Sequence, residues 1–302
     1  MAVRAPGRPG SRPVTRFLDT ASPEALFVLS AVFQYIGATI AVLLFDEVAP
    51  QTVAWLRMVG AAIAVLAVSG AAWRGWTRRE LAAAAIFGVA TAAMNTFFYL
   101  AIDRTDLGKS VAIEFIGPIA VAAVMTRTRR NAAALALAAL GVIVLGGVEL
   151  GDNTTGLLYL LAASACWAAY IVVGSRIAQL NRGVSGLGIG LAIGAVALTP
   201  IGAPGSAAVW TTPSLLGACL LVGVFSNALG YGIDQHVLRR IPVRRFSVLL
   251  ALLPVTALVI GWIALDQRPS GLELGGIALI LVGVGVQDRD ELAAEIAAPD
   301  PS

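Results

Sequence analysis

VAIEFIGPIAVAAV at residues 111–124 and SVLLALLPVTALVI at residues 247–260 decide the fold. Both are apolar, both carry a proline in the middle, and a shift of 136 residues lays Pro118 on Pro254. The same shift lays Gly147 on Gly283, while Gly88-Val89 and Gly223-Val224 precede the two prolines by 30 and 31 residues. Self-similarity at that distance divides the chain into halves of roughly 25–150 and 156–287. About 20 mostly apolar residues make a membrane span, and working outward from the two proline segments the chain offers ten. They lie near 25–45, 52–73, 81–102, 107–126, 132–150, 156–176, 185–203, 214–236, 243–264 and 271–287. Five spans per half is an odd number, so the second half enters the bilayer in the opposite sense. The expected fold is an all-α integral membrane protein whose ten transmembrane helices form two inverted five-helix repeats.

Composition agrees. The 302 residues are 58% apolar and 13% charged with a mean hydropathy of +0.84, whereas a soluble domain carries about 25% charge. Glycine contributes 32 residues without a Gly-X-Y period, which excludes collagen and suits close-packed membrane helices. Cys166 and Cys219 sit in apolar runs with no ligand at metal spacing, so neither a metal site nor a disulfide scaffold is expected. The net charge of +3 comes from short basic blocks between apolar runs, which excludes a nucleic-acid partner and leaves the lipid bilayer as the surrounding phase.

Those blocks orient the chain. With the N-terminus inside, seventeen Lys and Arg fall in cytoplasmic segments and three (Arg104, Lys109, Arg268) outside. Both termini are thereby expected in the cytoplasm. Residues 1–24, with Arg4, Arg8, Arg12 and Arg16 among Pro and Gly, read as a disordered cytoplasmic tail, and the acidic residues 288–302 as a second one.

Ionisable groups inside spans are costly and mark function. Arg57 and Glu114 stand at similar depth from the outer ends of the second and fourth spans. Arg57 is expected to hold a substrate carboxylate, or to pair with Glu114 until substrate arrives, and Glu114 to take a proton or an ammonium; a permanent structural ion pair is the alternative. Asn227, Tyr231 and Asp234 follow i, i+4, i+7 spacing along the eighth span. Thr91, Asn95 and Tyr99 repeat the pattern on the third, and Ser30 with Gln34 on the first. For Asp234 an interfacial bridge to Arg239 or Arg240 is the competing reading, and for His236 an interfacial position. Trp55, Trp73, Trp76, Trp210 and Trp262 fall near span ends and fit the aromatic belt, whereas Trp167 is mid-span and either walls a cavity or fills the core. Pro118 and Pro254 each free a backbone carbonyl that can line a site. No GxxxxGK[ST] supplies an ATP site and no HExxH or Ser/His constellation supplies catalysis. A secondary transporter of a small molecule, without a cofactor, is the expected class.

The segments NTFFYLAIDRTDLGKSVAIEFIGPIAVAAVMTRTRR and SNALGYGIDQHVLRRIPVRRFSVLLALLPVTALVIGWIALDQRPSGLELGGIALILVGV resemble the EamA repeats of the drug/metabolite transporter superfamily. Within it, Leu107-Gly108, Ala112, Glu114-Phe115 and Gly117-Pro118 are most similar to bacterial threonine/homoserine exporters. The resemblance implies export of small amino acids by proton antiport, with a multidrug or other metabolite exporter as the alternative. It places Arg57, Glu114 and Asp234 on polar positions of the family. It departs at Leu253, where many members carry Glu before the proline, and at Asp266, where Glu is usual.

Overall fold

A computed structural model describes residues 13–69, 75–125, 128–146, 154–179, 184–238, 240–241, 246, 249–250 and 252–286. Long apolar runs with few charges satisfy their backbone groups internally only as helices, and the described residues contain helices and no strand. In chain order these are α1 (Pro13–Thr20), α2 (Pro23–Leu44), α3 (Pro50–Ser69), α4 (Arg78–Ile102), α5 (Leu107–Glu114), α6 (Ile116–Met125), α7 (Arg129–Gly146), α8 (Thr154–Gln179) and α9 (Val184–Gly202). After α10 (Ala207–Thr211), one continuous helical segment comprises α11 (Pro213–Gly223), a π-helix (Val224–Tyr231) and α12 (Gly232–Leu238), followed by α13 (Leu252–Leu265) and α14 (Gly271–Val286).

Among the described residues six helices are long and apolar enough to cross a bilayer: α2, α3, α4, α8 over Thr154–Val173, α9 over Ser185–Gly202, and the continuous Pro213–Leu238. Shorter apolar helices run over Ser110–Val121, Leu252–Leu265 and Leu274–Gly283. Large apolar side chains face outward all round, among them Leu43, Val68, Val124, Val196 and Ile263, each at least 60% exposed. Water disfavours such a surface, and a hydrocarbon phase accepts it.

The closest helix pairs join one half of the chain to the other. α4 packs on α8 and α9, α3 on α9 and α11, α2 on the π-helix and α13, α6 on α8, α5 on α13, and α7 on α14. Two crossings are made backbone to backbone. A Cβ on Gly88 of α4 would fall on the Gly190 carbonyl of α9, and one on Gly223 at the end of α11 would fall on the Arg57 carbonyl of α3. The two Gly-Val pairs noted in the sequence are thus the points where α4 and the eighth-span helix meet their neighbours in the opposite half.

Two local structures differ from the sequence reading. Within the tail expected to be disordered to residue 24, Pro13–Thr20 forms α1. Its C-terminal carbonyls are capped by a residue from far along the chain: Arg240 Nη1 donates to Leu18 O at 2.8 Å and Ala21 O at 3.0 Å. His236 lies close by, with Nε2 3.5 Å from Asp19 Oδ1, and no local sequence signal announces that tertiary cap. Residues 288–302 and Trp73 lie outside the described residues. The second difference is the π-helix, which interrupts what the i, i+4, i+7 stripe suggests is uniform α-helix. There the Ser226 hydroxyl donates to the Gln34 carbonyl of α2 at 3.0 Å.

Candidate functional site

A small cavity lies among helices drawn from both halves of the sequence. α2 contributes Gln34 and Tyr35, α3 contributes Arg57, and α4 contributes Met94, Asn95 and Phe98. Glu114 ends α5, Trp167 and Tyr170 come from α8, Tyr231 and Asp234 from the eighth-span helix, Leu253 from the start of α13 and Leu250 from the turn just before it.

Arg57 is 4% exposed. Its Nε donates to Asn227 Oδ1 and its Nη1 to Tyr99 OH at 2.8 Å. The polar stripes of the third and eighth spans therefore converge on the guanidinium. Of its five N–H donors these bonds use two, which leaves donors for a ligand carboxylate. Asn95 stands one turn before Tyr99 and donates through Nδ2 to the Thr91 carbonyl at 2.8 Å.

Asp234 is 3% exposed and held from α2: Gln34 Nε2 donates to its Oδ2 at 3.1 Å, and the Ser30 hydroxyl lies 2.6 Å from its Oδ1. The interfacial bridge weighed in the sequence does not form to Arg240, which is committed to the carbonyls of Leu18 and Ala21; Arg239 lies outside the described residues. His236 sits two residues on, near Asp19 rather than in the cavity.

Glu114 is 5% exposed, and its Oε1 is buried without a hydrogen-bond partner. No ion pair joins it to Arg57 among the described residues, so the pairing that equal depth suggests is absent from this arrangement. The position of Glu114 follows from the proline. Pro118 has no N–H for the Glu114 carbonyl, the helix breaks at Phe115, and the carboxyl stands at the end of α5 facing the cavity. Pro254 withholds an N–H from Leu250 in the same way, and the Leu250 carbonyl accepts instead from Leu253 N–H at 2.8 Å.

Trp167, left open between wall and core, lines the cavity and meets Phe115 edge-on at 5.7 Å. Tyr35 and Tyr170 line the cavity as well. Tyr35 follows Gln34 directly, and Tyr170 is three residues beyond Trp167, on the same face of α8. The i+3 spacing from Trp167 was the available signal. The apolar lining by Phe98, Leu250 and Leu253 has no sequence signature apart from any other buried residue.

Apolar helices long enough to span a bilayer surround a buried cavity lined by charged groups, an arrangement that suits a membrane transporter. The EamA-like transporter family model matches residues 154–286. Threonine/homoserine exporter RhtA of Salmonella typhimurium strain SL1344 is 32% identical over 278 residues, covering 90% of this chain and 92% of its own. The protein of the same name in Escherichia coli K12 is 33% identical over 252 residues, covering 81% and 84%. The uncharacterized transporter YwfM of Bacillus subtilis is 24% identical over 294 residues, covering 90% and 97%. A solved structure at 20% identity superposes with a TM-score of 0.65 over 91% of this chain and 99% of its own, which establishes the shared fold. The chain belongs to the EamA transporters of the drug/metabolite transporter superfamily.

Proposed function

We propose that this chain is a secondary active exporter of small amino acids resembling threonine and homoserine, working by alternating access between two inverted five-helix halves and driven by inward proton flow. The observation that carries the reading is the cavity itself, which gathers one guanidinium and two carboxylates from both halves of the chain into a buried space. A zwitterionic amino acid matches it: the carboxylate meets the free donors of Arg57, and the ammonium meets the unpartnered oxygen of Glu114. With one more carboxylate than guanidinium among the described lining residues, the site takes up a proton when substrate leaves, which is the basis proposed for antiport. The relatives named as threonine/homoserine exporters support the direction and the substrate class.

Three features support two related halves at 25–150 and 156–287. The 136-residue shift carries α4 onto 214–238, almost the whole of Pro213–Leu238. Exchange of halves turns the α4–α8 packing into that of the π-helix on α2, and α6–α8 into α13–α2. Cavity residues Asn95, Phe98 and Glu114 fall on Tyr231, Asp234 and Leu250, which line it too. In this reading the termini lie in the cytoplasm and the cavity is reached alternately from each face of the inner membrane.

Expression in a bacterial strain lacking amino-acid exporters is expected to restore growth on inhibitory threonine or homoserine, with equally expressed Glu114→Gln giving no protection. Absence of protection by the wild-type chain contradicts the substrate class. The aromatic walls formed by Tyr35, Trp167, Tyr170 and Tyr231 favour a second reading, export of cationic aromatic compounds. Protection against such compounds but not against amino acids selects it.

A further inference from the structure

We propose that Tyr170 is the specificity-determining residue of the cavity, its phenol hydroxyl recognising a hydroxyl on the side chain of the transported amino acid. The inference rests on the amino-acid exporter reading and names the group that sorts substrates within it. Two polar atoms of the cavity lining are buried without a partner, Glu114 Oε1 and Tyr170 OH. Buried polar groups are almost always hydrogen-bonded, so two orphans around one cavity mark where a ligand supplies the missing bonds. Their chemistry differs. An ionised carboxylate oxygen only accepts, which suits an ammonium, whereas a phenol both donates and accepts, which suits a hydroxyl.

The ring of Tyr170 is fixed and the residue is only 2% exposed. It lies against Phe87 with centroids 5.1 Å apart and against Tyr231 at 5.4 Å. The hydroxyl therefore cannot swing away to find water without moving both neighbours. Gln235 of the eighth-span helix is close enough to the phenol to interact with it, but not in a geometry that satisfies either group, since both its Nε2 and the Tyr170 hydroxyl are left without a hydrogen-bond partner. Tyr231 and Asp234 share the cavity wall with Tyr170, so a ligand held by its ammonium and carboxylate presents its side chain within one cleft bounded by all three.

Threonine and valine have nearly the same shape and differ by hydroxyl against methyl. An apolar pocket separates such a pair poorly, whereas a site with an otherwise unpaired polar group separates them strongly, because the methyl leaves that group buried and unbonded. Wild-type protein is expected to prefer threonine over valine by a factor of about 10 or more. Tyr170→Phe keeps the ring and its stacking and removes only the oxygen.

The test is counterflow of labelled threonine and of labelled valine into proteoliposomes holding the full chain, comparing wild type, Tyr170→Phe and Gln235→Leu. The expected result is that the threonine-over-valine preference of Tyr170→Phe falls about tenfold relative to wild type. Undiminished preference in Tyr170→Phe overturns the assignment, as does a wild type that carries both amino acids alike. Equal losses for both substrates in Tyr170→Phe and Gln235→Leu also overturn it, because the phenol then serves Gln235 and not the substrate. Absence of any amino-acid transport by wild type overturns the exporter reading and the subsite with it. Should Tyr170→Phe carry neither amino acid, thermal stabilisation of both proteins in detergent decides: greater protection by threonine than by valine in wild type but not in Tyr170→Phe upholds the subsite, and the same pattern in both overturns it.

Discussion

Arg57→Leu is expected to lose transport by a factor of about 100 or more while the protein still reaches the membrane. The leucine removes two hydrogen bonds from a charged donor, those to Asn227 and Tyr99. Bonds to charged groups contribute about 1.5–3 kcal/mol each, and here they fix the guanidinium rather than merely adding stability. The larger effect is on charge. Without Arg57 the described lining keeps Glu114 and Asp234 and no cation, so a substrate carboxylate enters a negative cavity with no counter-charge, and the carboxylates themselves are disfavoured in the ionised form. Arg57→Lys separates the two contributions. It restores the charge but has a single ammonium in place of a fork that reaches Asn227 and Tyr99 together, so partial activity is expected. Initial rates with equal amounts of reconstituted protein measure both variants. Wild-type rates in Arg57→Leu would remove the guanidinium from substrate binding.

Gly223→Val is the second change with a large expected effect, and it acts on Arg57 through the backbone. The added Cβ would occupy the position of the Arg57 carbonyl oxygen and lie 2.7 Å from the Ala61 nitrogen, so α3 and the eighth-span helix must separate. The separation pulls Arg57 away from Asn227, whose bond crosses the same contact. Backbone atoms cannot yield as a flexible side chain can, and overpacking in a tight core already costs about 1–3 kcal/mol. Loss of accumulated protein, or of transport in whatever accumulates, is expected. Gly217 on the same α11 supplies the control, since nothing lies within 4 Å of a Cβ built there, and Gly217→Ala is expected to behave as wild type. Quantitative immunoblotting of membranes together with detergent thermal unfolding reads both. Equal stability of Gly223→Val and Gly217→Ala would show that the crossing tolerates a side chain.

The parts of this site that the sequence reveals are those that carry a penalty in hydrocarbon. Arg57, Glu114, Asn227, Tyr231 and Asp234 stand out because charged or polar groups in apolar runs need a reason; four of them line the cavity, and Asn227 accepts from the Nε of Arg57. Pro118 is legible for a similar reason, since it withholds a hydrogen bond, and it accounts for where Glu114 ends up. Partner choice is not legible. Depth along a helix does not specify rotation about it, so Arg57 and Glu114 share a level and yet Arg57 turns to Asn227 and Tyr99. The π-helix is invisible for another reason: it adds one residue per turn without changing composition. The helix Pro13–Thr20 depends on Arg240, more than 200 residues away, which no window of local sequence contains.

The central claim is that the cavity between the halves carries an amino acid in exchange for a proton, with Glu114 taking part in both. Counterflow of labelled threonine in proteoliposomes, measured for wild type and Glu114→Gln with and without an imposed proton gradient, tests it most directly. Wild type is expected to show saturable counterflow that the gradient drives uphill, and Glu114→Gln to lose that gradient-driven transport. Undiminished proton-driven threonine transport by Glu114→Gln would contradict it.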